Sequence, residues 1–155
     1  LIKSKEYREK ANTYAKSHGL LGTANLSDGE TLRRWRINAE KGKMEAQLSL
    51  ALCYLKGEGV QKDGKEAAKW FRKAAEQGSF SAQSNLAAQY AIGRFLEKDF
   101  VEAYKWVILA GINGYRNAQI RKDALAKKMT PEQIAKAKAL AQEMIKKNPK
   151  LIRKK

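Results

Sequence analysis

The chain has 155 residues, with 32 lysines and arginines against 16 aspartates and glutamates, for a net charge of +16. That is long enough for one domain with a real core, and a content of 43% hydrophobic residues with only two prolines excludes a disordered chain. The lone cysteine, Cys53, excludes an internal disulfide framework, and no apolar run approaches the roughly 18 residues of a membrane span.

Residues 4–18 read as a degenerate first helix, which carries the only histidine, His18. Ser27 with Glu30 predicts a capping box that opens a helix over 31–42, TLRRWRINAEKG, with Trp35 in the core. In residues 45–80, Ala46, Gln47, Leu50, Ala51, Tyr54 and Leu55 recur with the spacing of one helical face. Gly57 and Gly59 stop that helix. Asp63, with Glu66 three residues on, starts a second one as an aspartate variant of the capping box, with inner face Ala67, Trp70, Phe71 and Ala74 and an end at Gly78. Residues 81–116 repeat the plan: Gly93 stops a helix, Asp99 with Glu102 opens the next, and Gly114 closes it. After a restart at Ala118–Gln119 the copy diverges. Thr130-Pro131-Glu132-Gln133 is a strong helix start, and the final helix runs to about Lys147.

Segments 45–80 and 81–116 align without a gap at an offset of 36, with fourteen identities that include Ala46/Ala82, Gln47/Gln83, Leu50/Leu86, Tyr54/Tyr90, Trp70/Trp106 and Gly78/Gly114. Self-similarity at a fixed period predicts a repeat array, whose stacked units present an extended surface rather than a deep pocket. The Ala46–Gln47 opening, Leu50–Ala51, Tyr54, the Gly57-Glu58-Gly59-Val60 turn, Asp63, Lys65–Ala67 and the run Trp70 to Gly78 resemble the Sel-1-like repeat family, a relative of the tetratricopeptide repeats. The copy at 81–116 departs in its turn, where Phe95 replaces the second glycine, and in its second helix. The expected fold is all-α: one domain, a right-handed αα-superhelix of about eight helices. Residues 1–44 form a degenerate N-terminal repeat, 45–80 and 81–116 the repeats, 117–147 the C-terminal capping helices and 148–155 a basic tail.

Chemistry is sparse. One cysteine and one histidine make neither a Ser-His-Asp set nor a zinc site, and the Gly57 turn lacks the phosphate-cradling arrangement. Cys53 reads as a small core filler. Asp63, Glu66, Asp99 and Glu102 read as caps. No catalytic residue, metal or cofactor is therefore expected. Hydrolase-like activities known in the family match no residues here.

Residues 45–115 hold nine Lys/Arg against eight Asp/Glu, and residues 116–155 thirteen against three, so the basic charge concentrates beyond the repeats. An acidic protein partner fits that excess. The rival reading is an anionic polymer or surface: nucleic acid, lipid headgroups or cell-wall polymer. No aromatic follows Tyr115, so that region lacks stacking platforms for bases. Helical geometry places Glu45, Ser49, Leu52, Lys56 and in part Cys53 opposite the core side of their helix; one step of 36 leads to Ser81, Asn85, Ala88, Ile92 and Gln89, and a second to Asn117, Arg121, Ala124, Lys128 and Leu125. Of these, Ser49, Lys56, Asn85, Gln89, Asn117, Arg121 and Lys128 are the candidate partner-binding residues of a concave face, with the amides suited to an extended peptide. Arg34, Arg36, Lys146, Lys147, Lys150, Arg153, Lys154 and Lys155 form the candidate basic patches. The resemblance implies protein–protein interaction as an adaptor, scaffold, inhibitor or toxin-immunity protein, in mostly bacterial settings that often include the cell envelope.

Overall fold

In the computed structural model residues 9, 13 and 28–153 are described. The expected helix over 4–18, His18, the Ser27 cap, Lys154 and Lys155 lie outside the described residues. Every regular element among the described residues is helical: α1 (Asp28–Glu40), α2 (Met44–Lys56), α3 (Gly64–Glu76), α4 (Phe80–Ile92), α5 (Phe100–Ile112), α6 (Ala118–Ala126), α7 (Pro131–Lys147) and a short 3-10 turn, Pro149–Leu151. The chain divides into two compact units, residues 1–70 and 71–155, the division falling inside α3.

In the first unit α1 packs on α2. Trp35 and Cys53 are both buried and meet there, with Leu32 and Val60 against them. Gln47 Nε2 donates to Ala39 O (3.1 Å), so an amide that looks out of place on an apolar face satisfies a carbonyl at the end of α1. Arg36 donates to the Tyr54 hydroxyl (3.2 Å). Gly57 ends α2 at φ +73, its N–H on Cys53 O (2.8 Å), in the left-handed conformation that glycine takes without steric cost.

The second unit repeats these contacts 36 residues on. Gln83 Nε2 donates to Ala75 O (3.0 Å), Arg72 to the Tyr90 hydroxyl, and Gly93 N to Gln89 O (2.9 Å). Trp106, Phe71, Leu86 and Leu109 are fully buried, and the Arg72 guanidinium lies 6.0 Å from the Tyr90 ring and 5.9 Å from that of Trp106. The turns differ where the sequences do. Gly59 is left-handed at φ +71, whereas Phe95 keeps a negative φ and packs under the Arg94 guanidinium at 5.0 Å.

The aspartate capping boxes are half of what the sequence predicts. Asp63 Oδ1 accepts from Glu66 N (3.1 Å), and Asp99 Oδ1 from Glu102 N (3.0 Å). The return bond from the glutamate is absent because each aspartate N–H already donates to a tyrosine carbonyl, Asp63 to Tyr54 (2.9 Å) and Asp99 to Tyr90 (3.0 Å). Glu66 and Glu102 turn instead to Lys69 (3.4 Å) and Lys105 (2.5 Å). At α7 both halves form, Gln133 N to Thr130 Oγ1 (3.2 Å) and Thr130 N to Gln133 Oε1 (2.9 Å).

α5 carries α4, α6 and α7. Segment 148–153 is no free extension of α7. Leu151 is buried, and its carbonyl accepts from Gln83 Nε2 (3.1 Å) and Asn113 Nδ2 (2.7 Å). Arg153 N donates to Asn113 Oδ1 (2.9 Å), and Asn148 Nδ2 to Glu76 O (3.0 Å).

Candidate protein-binding groove

Within the second unit, α4, α5 and α6 enclose a groove of about 180 Å³. α4 lines it with Ser84, Ala87, Ala88 and Ala91, one stripe at i, i+3, i+4 and i+7. α5 supplies Phe100 and Val107, and the connecting loop Tyr115. The α6 segment adds Arg121, Ala124, Leu125 and Lys128 with the same spacing. α6 approaches α5 closely because position 111 is glycine: a Cβ there would sit 2.8 Å from Ala118 Cβ.

The lining is apolar apart from Ser84, Tyr115 and two cations. Ser84 Oγ donates to Ser81 O (3.0 Å), inside its own helix. Arg121 and Lys128 are exposed, and no carboxylate belongs to the lining. Lys128 Nζ and Lys98 Nζ lie 5.8 Å and 5.6 Å from the Phe100 ring, so positive charge flanks that side chain twice. The nearby Asp123 carboxylate faces Gln119 (2.9 Å). Burial first, and then Asp123, pushes the Tyr104 hydroxyl above its ordinary pKa. Apolar surface continues past the groove. Ile92 (68% exposed) lies one turn beyond Ala88, and Ile120 (69% exposed) one turn before Ala124. Phe80 stacks on Tyr115 with ring centroids 6.5 Å apart.

Of the seven candidate partner-binding residues, the groove brings together Arg121 and Lys128. Asn117 is exposed at the start of α6, where its side chain makes no capping bond. Asn85 is half-buried and donates to Ser81 O (2.8 Å). Gln89 is buried, and neither atom of its amide has a hydrogen-bond partner among the described residues. In the first unit Lys56 is exposed, but Ser49 is buried. Cys53, assigned in part to the same outer side, packs on Trp35. Helical geometry alone overestimates the free face of α2, because α1 already covers part of it. Burial also pushes the Cys53 thiol up to about 11, helped by Glu58 and opposed by Lys56. It is a neutral thiol at pH 7 rather than a nucleophile.

Arg34 and Arg36 are exposed on α1. Lys146, Lys147, Lys150 and Arg153 are exposed in the second unit, with Lys147 paired to Glu143 (2.7 Å). Lys150 and Arg153 therefore ride on a segment that the fold holds in place. The residues that hold it, Gln83 and Asn113, were not among the sequence candidates. Gln83 was visible as a repeated position, but nothing local links Asn113 to Leu151. Among the described residues no group of three or more Asp, Glu, His or Cys side chains could hold a metal, and no helix is long and apolar enough to cross a membrane.

The Sel1 repeat profile matches residues 45–79 and 80–115. The structure of c5321, a protective antigen of uropathogenic Escherichia coli displaying an SLR fold, superposes with a TM-score of 0.75 at 35% identity. The alignment covers 91% of this chain and 30% of c5321, so the chain spans less than a third of that protein. A Sel1 repeat protein from Oxalobacter formigenes gives a TM-score of 0.59 at 34% identity, covering 76% of this chain and 87% of that one. No curated protein matches. The fold class is thus the all-α αα-superhelix of SLR proteins, whose repeats are in general non-catalytic and mediate protein–protein interaction. The repeats, the hairpins and both structural likenesses agree that this chain belongs to the Sel1 repeat family.

Proposed function

We propose that the chain binds an acidic protein partner through the α4–α5–α6 groove, with Arg121 and Lys128 as its charged anchors. One observation carries this reading: two exposed cations border an apolar groove that has no carboxylate in its lining. Apolar walls supply the driving force for association, and the cations select and steer the partner. Asn117, exposed at the start of α6, belongs to the same contact surface. A dedicated one-partner binder of this kind serves as an inhibitor or a toxin-immunity protein, and the bacterial sources of both structural relatives support a bacterial setting.

The test is affinity capture from the source cell lysate at low and moderate salt. The full chain is run beside Arg121→Glu/Lys128→Glu and Lys146→Glu/Lys150→Glu. One protein retained at moderate salt, lost with the first pair and kept with the second, supports the groove. The rival reading, an anionic polymer or surface, has its own observation in the exposed Lys136, Lys138, Lys146 and Lys147 of α7. It requires capture that fades steeply with salt and depends on the second pair.

A further inference from the structure

The groove also constrains the shape of what enters it. Its walls run over eight residues each, Ser84–Ala91 on α4, Phe100–Val107 on α5 and Arg121–Lys128 on α6 and the turn that follows it, and seven helical steps are two turns or about 10 Å. An extended peptide carries unpaired N–H and C=O groups along its length, and these need polar partners when water is excluded. This chain shows what such partners look like. At its own segment 151–153, Gln83 and Asn113 supply three side-chain amide bonds to the backbone. The groove offers no paired amides of this kind: apart from Tyr115 and the two cations its lining is alanine, valine, leucine, phenylalanine and Ser84, whose hydroxyl donates to Ser81 O, while Asn85 Nδ2 donates to the same carbonyl and Gln89 is buried. A helix satisfies its own backbone and needs only an apolar stripe, for which Ile92 and Ile120 extend the contact on either side. Arg121 lies on α6 and Lys128 two residues past its end at Ala126, seven apart in sequence and both in the groove lining, so a helix lying alongside meets them with side chains about two turns apart, at i and i+7.

We propose that the occupant of the α4–α5–α6 groove is an amphipathic α-helix of an acidic partner, its apolar stripe seated against Ala87, Ala88, Val107 and Ala124, and its carboxylates two turns apart on Arg121 and Lys128. This rests on the groove reading given under Proposed function and adds the partner's secondary structure and charge register.

The experiment is a display selection on the full chain. The probes are amphipathic segments of roughly 18 residues, long enough for a helix of several turns. They share one leucine/alanine stripe and carry paired glutamates at i,i+3, i,i+4 or i,i+7, and each has a proline-interrupted control. Enrichment of the i,i+7 set is expected, with affinity roughly two- to fivefold above the other spacings, because it gains a second exposed ion pair where they make one. Bound peptide gains helical circular dichroism. Arg121→Glu/Lys128→Glu, which leaves the helical spectrum of the chain unchanged, loses the glutamate peptides and gains those with lysine at the same positions. Enrichment of i,i+3 or of proline-bearing segments would mean an extended occupant and overturn the helix. So would selection of nothing that depends on the two cations. Concentration-dependent pairing of the chain with itself through this face, or displacement of the peptides by anionic vesicles or single-stranded DNA at equal charge, would also overturn it. If the selection fails while the lysate partner is still lost on charge reversal, the helix is wrong and the groove reading stands. If charge reversal alters neither, both fall.

Discussion

Asn113 holds the backbone on both sides of Ile152, its Nδ2 donating to Leu151 O at 2.7 Å and its Oδ1 accepting from Arg153 N at 2.9 Å. The same Nδ2 reaches Gln83 Oε1 at 3.0 Å, and Gln83 in turn donates to Leu151 O, so three groups close one polar ring around a buried leucine.

Leu151→Ala should therefore destabilise the second unit by about 2–4 kcal/mol, from lost transfer energy plus the cavity left behind. Asn113→Ala should cost about 1–3 kcal/mol by orphaning buried partners. Urea unfolding of the full chain checks both. An effect below the error of the extrapolation in both variants would mean that the segment is only resting on the surface. Gly78→Ala tests the same contact from the other side. A Cβ there would lie 2.8 Å from Lys150 O, at a φ of +90 that alanine resists.

Arg72 links a hydroxyl and two aromatic rings, and its guanidinium is suited to that geometry in a way an ammonium is not. Arg72→Lys should lose about 1 kcal/mol, and Tyr90→Phe a similar amount. In a double-mutant cycle the two losses should be strongly non-additive. Additive losses by thermal or urea unfolding would place the two residues in separate interactions.

Gln89 is the opposite case, a buried amide with neither atom partnered among the described residues. Replacing it with leucine removes a desolvated polar group while keeping volume, so Gln89→Leu should stabilise the chain by about 1 kcal/mol in the same assay. A loss of stability would show that the amide is hydrogen-bonded after all.

Cys53 gives a pH-dependent prediction. Its pKa rises from 9.0 to about 11, with burial the main cause, because the thiolate is disfavoured in the fold. The unfolded chain therefore releases this proton first as pH rises. The stability contributed by the neutral buried thiol is complete below about 9 and is lost as pH climbs through about 11. Thiol-reactive dyes should label Cys53 slowly in the native chain at pH 8 and fast in urea. Equal rates would mean that the Trp35 contact does not shield it.

The repeat frame was legible because it rests on local signals at fixed spacing. Gly57, Gly93, Asp63, Asp99, Trp70 and Trp106 each announce a stop, a start or a core position within a few residues of sequence. The failures share a cause. Glu66 and Glu102 fit a capping box locally, but the amide each would accept from is taken by Tyr54 or Tyr90, nine residues upstream of its aspartate. Ser49 and Cys53 fall on the outer side of an isolated helix, and only the packed neighbours show that this side is not free. Lys150 and Arg153 read as a solvated tail because the attraction that docks Leu151 resides in Asn113, with no motif to advertise it. Arg121 and Lys128 emerged from the period, whereas the groove they border depends on the approach of α6 at Gly111.

The two cations of the groove sit in the copy that has drifted furthest from the repeat pattern. The equivalent positions one period earlier hold Asn85 and Ile92, and one period before that Ser49 and Lys56. The pair of side chains at these positions differs in all three copies, while the alanines, tryptophans and glycines that build the hairpins recur between 45–80 and 81–116, the glycine and tryptophan giving way to Met129 and Gln142 in the third. On the proposed reading, the hairpin scaffold and the partner contacts are carried by different positions. Exchanging only residues 121 and 128 should then change what is bound without refolding the chain.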